Sequence, residues 1–276
     1  MSVVTVAKKD FADAIRSKVL LALATLFVLF AGGAAYIFAE FFSGANEAIS
    51  AVGFIVFLLG PVGTLVPLTG LIVGYKAIVG ERESGSLKFL LALPHTRRDV
   101  VLGKVVGRSG VLATAILAGF ALAAVIAIAL YSSFSPATFL GFTALTLLFG
   151  AVFVSVGVGI SASTSSSSKA TAAVIGFFLL FEFLWGLIPT LLNYAITGSF
   201  GFRGPPPSWY QFLTNISPSA AFGNAIKLVL PADAGVSMPG QVTSVFAEGW
   251  FGLLILFAWA LIPLALGYLR FERADL

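Results

Sequence analysis

Six long apolar stretches constrain the fold of this chain more than any other feature of its sequence. They cover residues 19–39, 51–73, 110–130, 139–160, 170–191 and 250–269. A helix needs roughly 20 apolar residues to cross a hydrocarbon core about 30 Å thick, and each stretch is long enough. Because backbone groups in lipid must bond within their own segment, such stretches predict helices, whereas a transmembrane barrel would show short alternating segments. The sequence predicts a single-domain, all-α integral membrane protein with six transmembrane helices.

The composition agrees with this prediction. Hydrophobic residues make up 59% of the 276 residues and charged residues 10%, whereas about 25% of a soluble domain is charged. The chain contains no cysteine, which excludes disulfides and thiolate chemistry. Basic residues precede the first stretch, and this stretch lacks a small-residue cleavage site, which favours a retained span over a signal peptide.

Lysine and arginine are distributed unevenly between the two sides of the predicted bundle. Of the 16, 14 lie in residues 1–18, in the connection between the second and third spans, at Lys169 or after the last span, and only Arg203 and Lys227 lie on the other side. The positive-inside rule therefore predicts that both termini lie in the cytoplasm, and we expect a multi-pass protein of the cell (plasma) membrane. The long connection at residues 193–248, named here the outer segment, is expected to rest on the bilayer. That position is compatible with an outer gate, and Pro218 should begin a short helix there.

Charge is concentrated in residues 80–104, "GERESGSLKFLLALPHTRRDVVLGK", between the second and third spans. Leu87, Leu90 and Leu91 follow the i, i+3, i+4 spacing of a short amphipathic helix. Thr96 and Asp99 have the spacing of a capping box that would begin a second helix. The pattern leaves two interpretations open: an interfacial helix that anchors a loop, or an element that docks into a cytoplasmic partner.

This region resembles the signature of type-2 ATP-binding-cassette (ABC) transporter permeases. That signature has two acidic residues one position apart, then Gly, Thr or Ser, Leu, paired leucines, a proline, an arginine, and Gly-Lys before the third span. It is matched by Glu81, Glu83, Gly85, Ser86, Leu87, Leu90, Leu91, Pro94, Arg97, Gly103 and Lys104. With the amphipathic N-terminal segment and "NISPSAAF" in the outer segment, the resemblance covers essentially the whole chain. It is strongest to the small six-span branch that includes the permease serving copper-site maturation of nitrous oxide reductase.

The resemblance implies the membrane subunit of an ABC exporter, which is not itself an enzyme. Residues 80–104 would contain the coupling helix that seats in a separate ATPase subunit, which binds ATP and Mg. A second permease chain, identical or related, would complete a homo- or heterodimer around the translocation path, and no nucleic acid is implied. The residues expected to couple to the ATPase are Glu81, Arg82, Glu83, Gly85, Ser86, Leu87, Leu90, Leu91 and Arg97.

The chain's own residues predict no catalytic or metal site. No G-x-x-x-x-G-K-[ST] phosphate loop occurs, so ATP must be hydrolysed by another chain. His95 is the single histidine, and with no cysteine it cannot form a His or Cys/His metal cluster.

Glu182 is the one ionisable residue well inside a predicted span. An acidic side chain at a helix centre costs about 2.5–3.5 kcal/mol on insertion scales, so Glu182 should face protein or water. Either a packing hydrogen bond or a position on the translocation path would satisfy it.

The alternative function is a stand-alone secondary carrier driven by an ion gradient. Such carriers often have inverted repeats and several intramembrane charges, and neither is evident in this sequence. Co-purification of a nucleotide-binding ATPase would distinguish the two functions.

Overall fold

Serine residues fix the beginning of several helices. In each case the side-chain oxygen accepts a hydrogen bond from the backbone N–H three residues further on, which satisfies one of the free N–H groups of the first turn. These N-caps are Ser50, Ser135, Ser166 and Ser217. Proline occupies the first helical position after Ser135 and Ser217, where its missing N–H has no cost.

A computed structural model describes residues 3–16, 18–42, 50–87, 96–202, 204–231 and 244–274. Within these ranges the structure is helical, and the one β-type pairing is an isolated bridge between Ser50 and Ser133. Its helices are α1 (Val3–Ile15), α2 (Lys18–Phe42), α3 (Ala51–Gly74), α4 (Val79–Glu83), α5 (Arg97–Leu130), α6 (Pro136–Ser163), α7 (Ser167–Leu184), α8 (Leu187–Thr197), α9 (Ser208–Asn215), α10 (Pro218–Ala225) and α11 (Gly249–Glu272).

Six helical segments of the described chain are long and apolar enough to cross a membrane: α2, α3 continued by α4, α5, α6, α7 and α11. The predicted all-α fold with six spans is therefore confirmed. One bound differs from the sequence expectation: the fifth stretch is broken by a turn between α7 and α8. Helix α5 begins at Arg97, well before its apolar stretch, where the capping-box residues predicted a helix start. Pro189 in the first turn of α8 lacks a backbone N–H, which favours a helix start there over a continuous helix.

Helix α6 forms the centre of the bundle and packs against α3, α5 and α11. It is the most buried span: 67% of its apolar segment is buried inside the bundle, compared with 11% for the apolar segment of α7. The backbones of α3 and α6 approach closely where Gly74 faces Gly157, and a side chain at Gly74 would collide with the α6 backbone. Because α7 is so little covered, it has the largest share of surface left for lipid or another chain.

The outer segment is more deeply placed than the sequence suggested. Helix α10 begins at Pro218 as predicted and packs against α11 and α6. The ring of Phe222 is 2% exposed and stacks on Phe149, midway along α6, with ring centroids 4.3 Å apart. The expectation of a loop that rests on the bilayer is wrong for α10, because its small residues let it pack closely against Gly252 of α11.

Hydrogen bonds of Lys227 hold the outer segment together just after α10. Lys227 donates hydrogen bonds to the backbone oxygen of Ala247 at 2.8 Å and to Asn224 at 3.2 Å. Burial lowers the pKa of Lys227, and the nearby Glu248 opposes this shift. The two parts of the outer segment that the structure describes are thus joined directly.

Candidate coupling site

Helix α4 lies at the charged end of the bundle. This end comprises α1, residues 75–87, the first turns of α5, residues 164–169 and the last turn of α11. The backbone N–H groups of Ile78 and Val79 both donate to Ser161 Oγ at 3.0 Å. Ser161 is fully buried in the last turn of α6. The beginning of α4 is therefore fixed to the end of the central helix.

A left-handed glycine ends α4. Gly85 has φ of +76°, a conformation that glycine adopts without steric cost, and its N–H donates to the backbone oxygen of Arg82 at 3.2 Å. The chain then turns back, and the Leu87 side chain becomes 2% exposed within the chain's own core. Leu87 therefore does not stand on an exposed apolar ridge, as its helical spacing suggested, but anchors the segment to the bundle.

Glu81 belongs to a buried ion cluster with residues of α1 and α5. Lys104 Nζ donates to Glu81 Oε1 and, at 2.7 Å, to Asp10 Oδ1. Arg108 Nε lies 2.8 Å from Asp10 Oδ2, but the N–H is not aligned with that oxygen, so the contact is electrostatic. The side chains of Lys104 and Asp10 are 6% and 4% exposed. Removing one partner of such a pair leaves an uncompensated buried charge.

Two glycines of α5 let α1 approach the cluster. Side chains at Gly103 and Gly107 would collide with Val6 and with the backbone of Ala7, respectively. Asp10 follows on the same face of α1 as Val6 and Ala7. An acidic residue on the apolar face of an amphipathic helix was the sequence signal that could have identified Asp10.

Glu83 caps the first turn of α7. Its carboxylate accepts hydrogen bonds from the backbone N–H of Ser167 at 2.7 Å and from the Ser167 hydroxyl at 2.5 Å. A negative charge is favourable at the N-terminus of a helix, where backbone N–H groups are free. Glu83 therefore joins the connection between the second and third spans to the connection between the fourth and fifth.

Arg97 caps the C-terminal end of α11. Its guanidinium donates to the backbone oxygens of Phe271, Glu272 and Ala274 at the end of α11. A cation is favourable there because the last carbonyl groups of a helix lack partners within it. The capping box predicted for Thr96 and Asp99 is confirmed, and it begins α5 at Arg97.

Four of the predicted site residues make separate contacts within the chain: Glu81, Glu83, Leu87 and Arg97. Arg82 is half-buried, and Ser86 is exposed with its hydroxyl 2.9 Å from that of Ser84. Leu90 and Leu91, with Lys88, Pro94 and His95, lie outside the described residues. Sequence reasoning missed the partners Asp10, Arg108, Ser161 and Ser167.

Glu182 lies in a π-helical turn at the end of α7, Leu180–Leu184. Ser219, at the beginning of α10, donates a hydrogen bond to Glu182 Oε1. Nearby, Trp185 donates through its ring nitrogen to the backbone oxygen of Leu213 at 2.8 Å. The carboxylate is half-buried and linked to the outer segment. These contacts provide the packing hydrogen bond that was one of its two expected roles.

Comparison with known proteins identifies the family of the chain. A family model described as ABC-2 family transporter protein matches residues 4–276, and the chain belongs to this family. Two relatives carry the description probable ABC transporter permease protein NosY. The one from Stutzerimonas stutzeri is 31% identical over 267 residues, which cover 93% of this chain and 96% of that protein. The one from Pseudomonas aeruginosa is 32% identical over 281 residues, which cover 98% and 97%.

The chain is therefore a permease subunit of an ABC transporter, as the resemblance predicted. It is a multi-pass membrane protein that is not itself an enzyme and that works with a separate ATP-binding partner. This membership decides against the stand-alone secondary carrier.

Proposed function

We propose that this permease belongs to an exporter of the plasma membrane in which the charged end receives motion from a cytoplasmic ATPase. The ATPase would bind ATP and Mg, and the permease would carry out no covalent chemistry. The uneven distribution of lysine and arginine supports a cytoplasmic position for the charged end and both termini. Export as the direction of transport is proposed from the family resemblance.

One observation carries the coupling proposal: the short segment around α4 is bonded to four other helices at once. Ser161 links it to α6, Glu83 links it to α7, and Glu81 links it through Lys104 to α5 and α1. A displacement of this segment would therefore move four helices together. A docking element needs such links if it is to turn ATPase closure into a rigid-body change of the bundle.

The contacts divide the signature residues into two groups. Glu81, Glu83, Leu87 and Arg97 hold the segment and the start of α5 in place. Of the other residues expected to couple, we assign contact with the ATPase to Gly85, Ser86, Leu90 and Leu91, and also to Arg82, which has a partner within the chain as well. Charges at the rim of such an interface would fix the register of docking.

We also propose that α7 faces a second permease chain and the translocation path between the two chains. Helix α7 is the least buried of the six spans, and it carries Glu182. Because a carboxylate facing lipid in mid-membrane is unfavourable, protein or water should cover this face in the assembly. Glu182 would then line the path while bonded to Ser219.

The coupling proposal can be tested through the Glu83–Ser167 contact. Spin labels at Ser168→Cys and Ser208→Cys would report the distance between the start of α7 and the outer segment in a chain without native cysteine. In the complex with its ATPase, we expect an ATP-dependent change in this distance. Glu83→Ala should retain the bound ATPase but lose most of the change.

Ser84→Ala is the matched control, because Ser84 is exposed and bonds only within its own turn in the described structure. It should preserve the full response to ATP. An unchanged response in Glu83→Ala would refute the proposed link, and failure of any ATPase to co-purify with the wild type would refute the coupling itself.

A further inference from the structure

Helix α11 crosses the central helix α6 at a point where the two backbones touch. A side chain at Gly159 of α6 would collide with the backbone oxygen of Pro263, and a side chain at Gly267 would collide with the backbone oxygen of Gly159. Small residues let two helices approach this closely, and with no side chains interlocked there the crossing can act as a pivot. Pro263 removes one backbone hydrogen bond, but α11 remains a single helix from Gly249 to Glu272.

On the outer side of this crossing, α10 lies between α6 and α11. Phe222 of α10 stacks on Phe149 of α6. A side chain at Gly252 of α11 would collide with the backbone oxygen of Ala221 in α10. The two long helices therefore touch at the crossing and are separated by α10 further out.

Hydrogen bonds at both ends of α10 join it to the outer part of α11. Trp259 of α11 donates through its ring nitrogen to the backbone oxygen of Ile216, just before α10, at 2.8 Å. Just after α10, Lys227 donates to the backbone oxygen of Ala247, close to the start of α11, at 2.8 Å. The contact of α10 with α6 described above is a stack of two rings, which can separate without breaking a hydrogen bond. A movement of α11 would therefore carry α10 with it and change its contact with α6.

The other end of α11 is held by Arg97, which begins α5 and belongs to the charged stretch of residues 80–104. Its Nη1 donates to the backbone oxygens of Phe271, Glu272 and Ala274. Its guanidinium carbon also lies 5.4 Å from the centre of the Phe271 ring, and Phe271 is buried. A displacement of the start of α5 would therefore pull on the last turn of α11.

We propose that α11 is a lever that transmits motion from Arg97 to α10, with its pivot at the crossing with α6. The lever rests on the coupling to an ATPase proposed above, and it adds α11 to the helices that the ATPase moves. The crossing lies about 7 residues from the Arg97 contacts and about 13 residues from Gly252, which correspond to about 10 and 20 Å along the helix. A displacement at the charged end is therefore roughly doubled at α10, where it parts Phe222 from Phe149 and opens the outer half of the bundle.

Spin labels at Ala137→Cys and Leu254→Cys test the lever in the complex with its ATPase. Both positions are exposed; Ala137 lies in the first turn of α6 and Leu254 in the outer part of α11. Because helix shifts of about 1–2 Å are typical of such transitions, ATP should change this distance by about 2–4 Å. An unchanged distance, with the Ser168–Ser208 distance still responding to ATP, would overturn the lever alone. If neither distance changes, the coupling fails and the lever with it.

Two arginine variants test the role of Arg97. Arg97→Met removes the donors to the α11 carbonyl groups and should lose most of the Ala137–Leu254 change, while the ATPase stays bound and the Ser168–Ser208 distance still responds. Arg98→Met is the matched control, because Arg98 is the neighbouring, exposed arginine, and it should keep both responses. A full Ala137–Leu254 change in Arg97→Met would overturn the lever. Loss of both responses in Arg97→Met would also overturn it, because Arg97 would then serve docking alone.

Discussion

Replacing Lys104 by methionine would remove the cation that holds two carboxylates inside the charged end. Lys104 and Asp10 are almost fully buried, and Glu81 is 25% exposed. Breaking a buried ion pair from one side costs about 3–5 kcal/mol, because the remaining charge stays buried without a partner. Arg108 remains close to Asp10 Oδ2, so the lower half of that range is expected. For a chain of this size the change corresponds to a fall in unfolding temperature of roughly 10 °C.

The assay is thermal unfolding of purified variants in one detergent. Lys169→Met serves as the matched control, since Lys169 is an exposed lysine at the same end with only a weak contact to Ser165, and it should change stability little. Adding Asp10→Asn and Glu81→Gln to Lys104→Met should restore much of the loss, because no buried charge then remains unpaired. The reasoning is refuted if Lys104→Met unfolds at the same temperature as Lys169→Met.

Two further predictions concern orientation and the intramembrane carboxylate. Single cysteines at Ser86 and Ser208, both exposed, should react with an impermeant reagent from opposite sides of the membrane; reaction of both in intact cells would contradict the proposed orientation. Glu182→Gln keeps the hydrogen bond with Ser219 but removes the charge, so a role in the path predicts lost transport with unchanged assembly and unfolding temperature, whereas Glu182→Leu should also destabilise the complex. Normal transport by Glu182→Gln would leave Glu182 with a packing role alone.

Features encoded by neighbouring residues were predictable from the sequence. The six spans follow from continuous apolar stretches, the start of α5 follows from Thr96 and Asp99, and the start of α10 follows from Pro218. The break before α8 was hidden because Gly186 and Pro189 lie within an otherwise apolar run.

Long-range pairing within the coupling site could not be predicted in the same way. Glu83 and Arg97 were identified as signature residues, but their partners lie 84 and at least 174 residues away. No local pattern specifies which distant helix end a charged side chain will cap. The burial of Leu87 was missed for a related reason, since spacing identifies an apolar face without showing what covers it.

The hydrogen bonds at the charged end also determine the order in which this end can fold while the chain is being synthesised. When the second span has left the ribosome, the N–H groups of Ile78 and Val79 must remain hydrated until Ser161 is made, 83 and 82 residues later. Arg97 waits longer still, because its acceptors at the end of α11 are 174 to 177 residues downstream. The charged end therefore reaches its final form only after the end of α11 has been made, so the proposed docking surface for the ATPase is incomplete before that point.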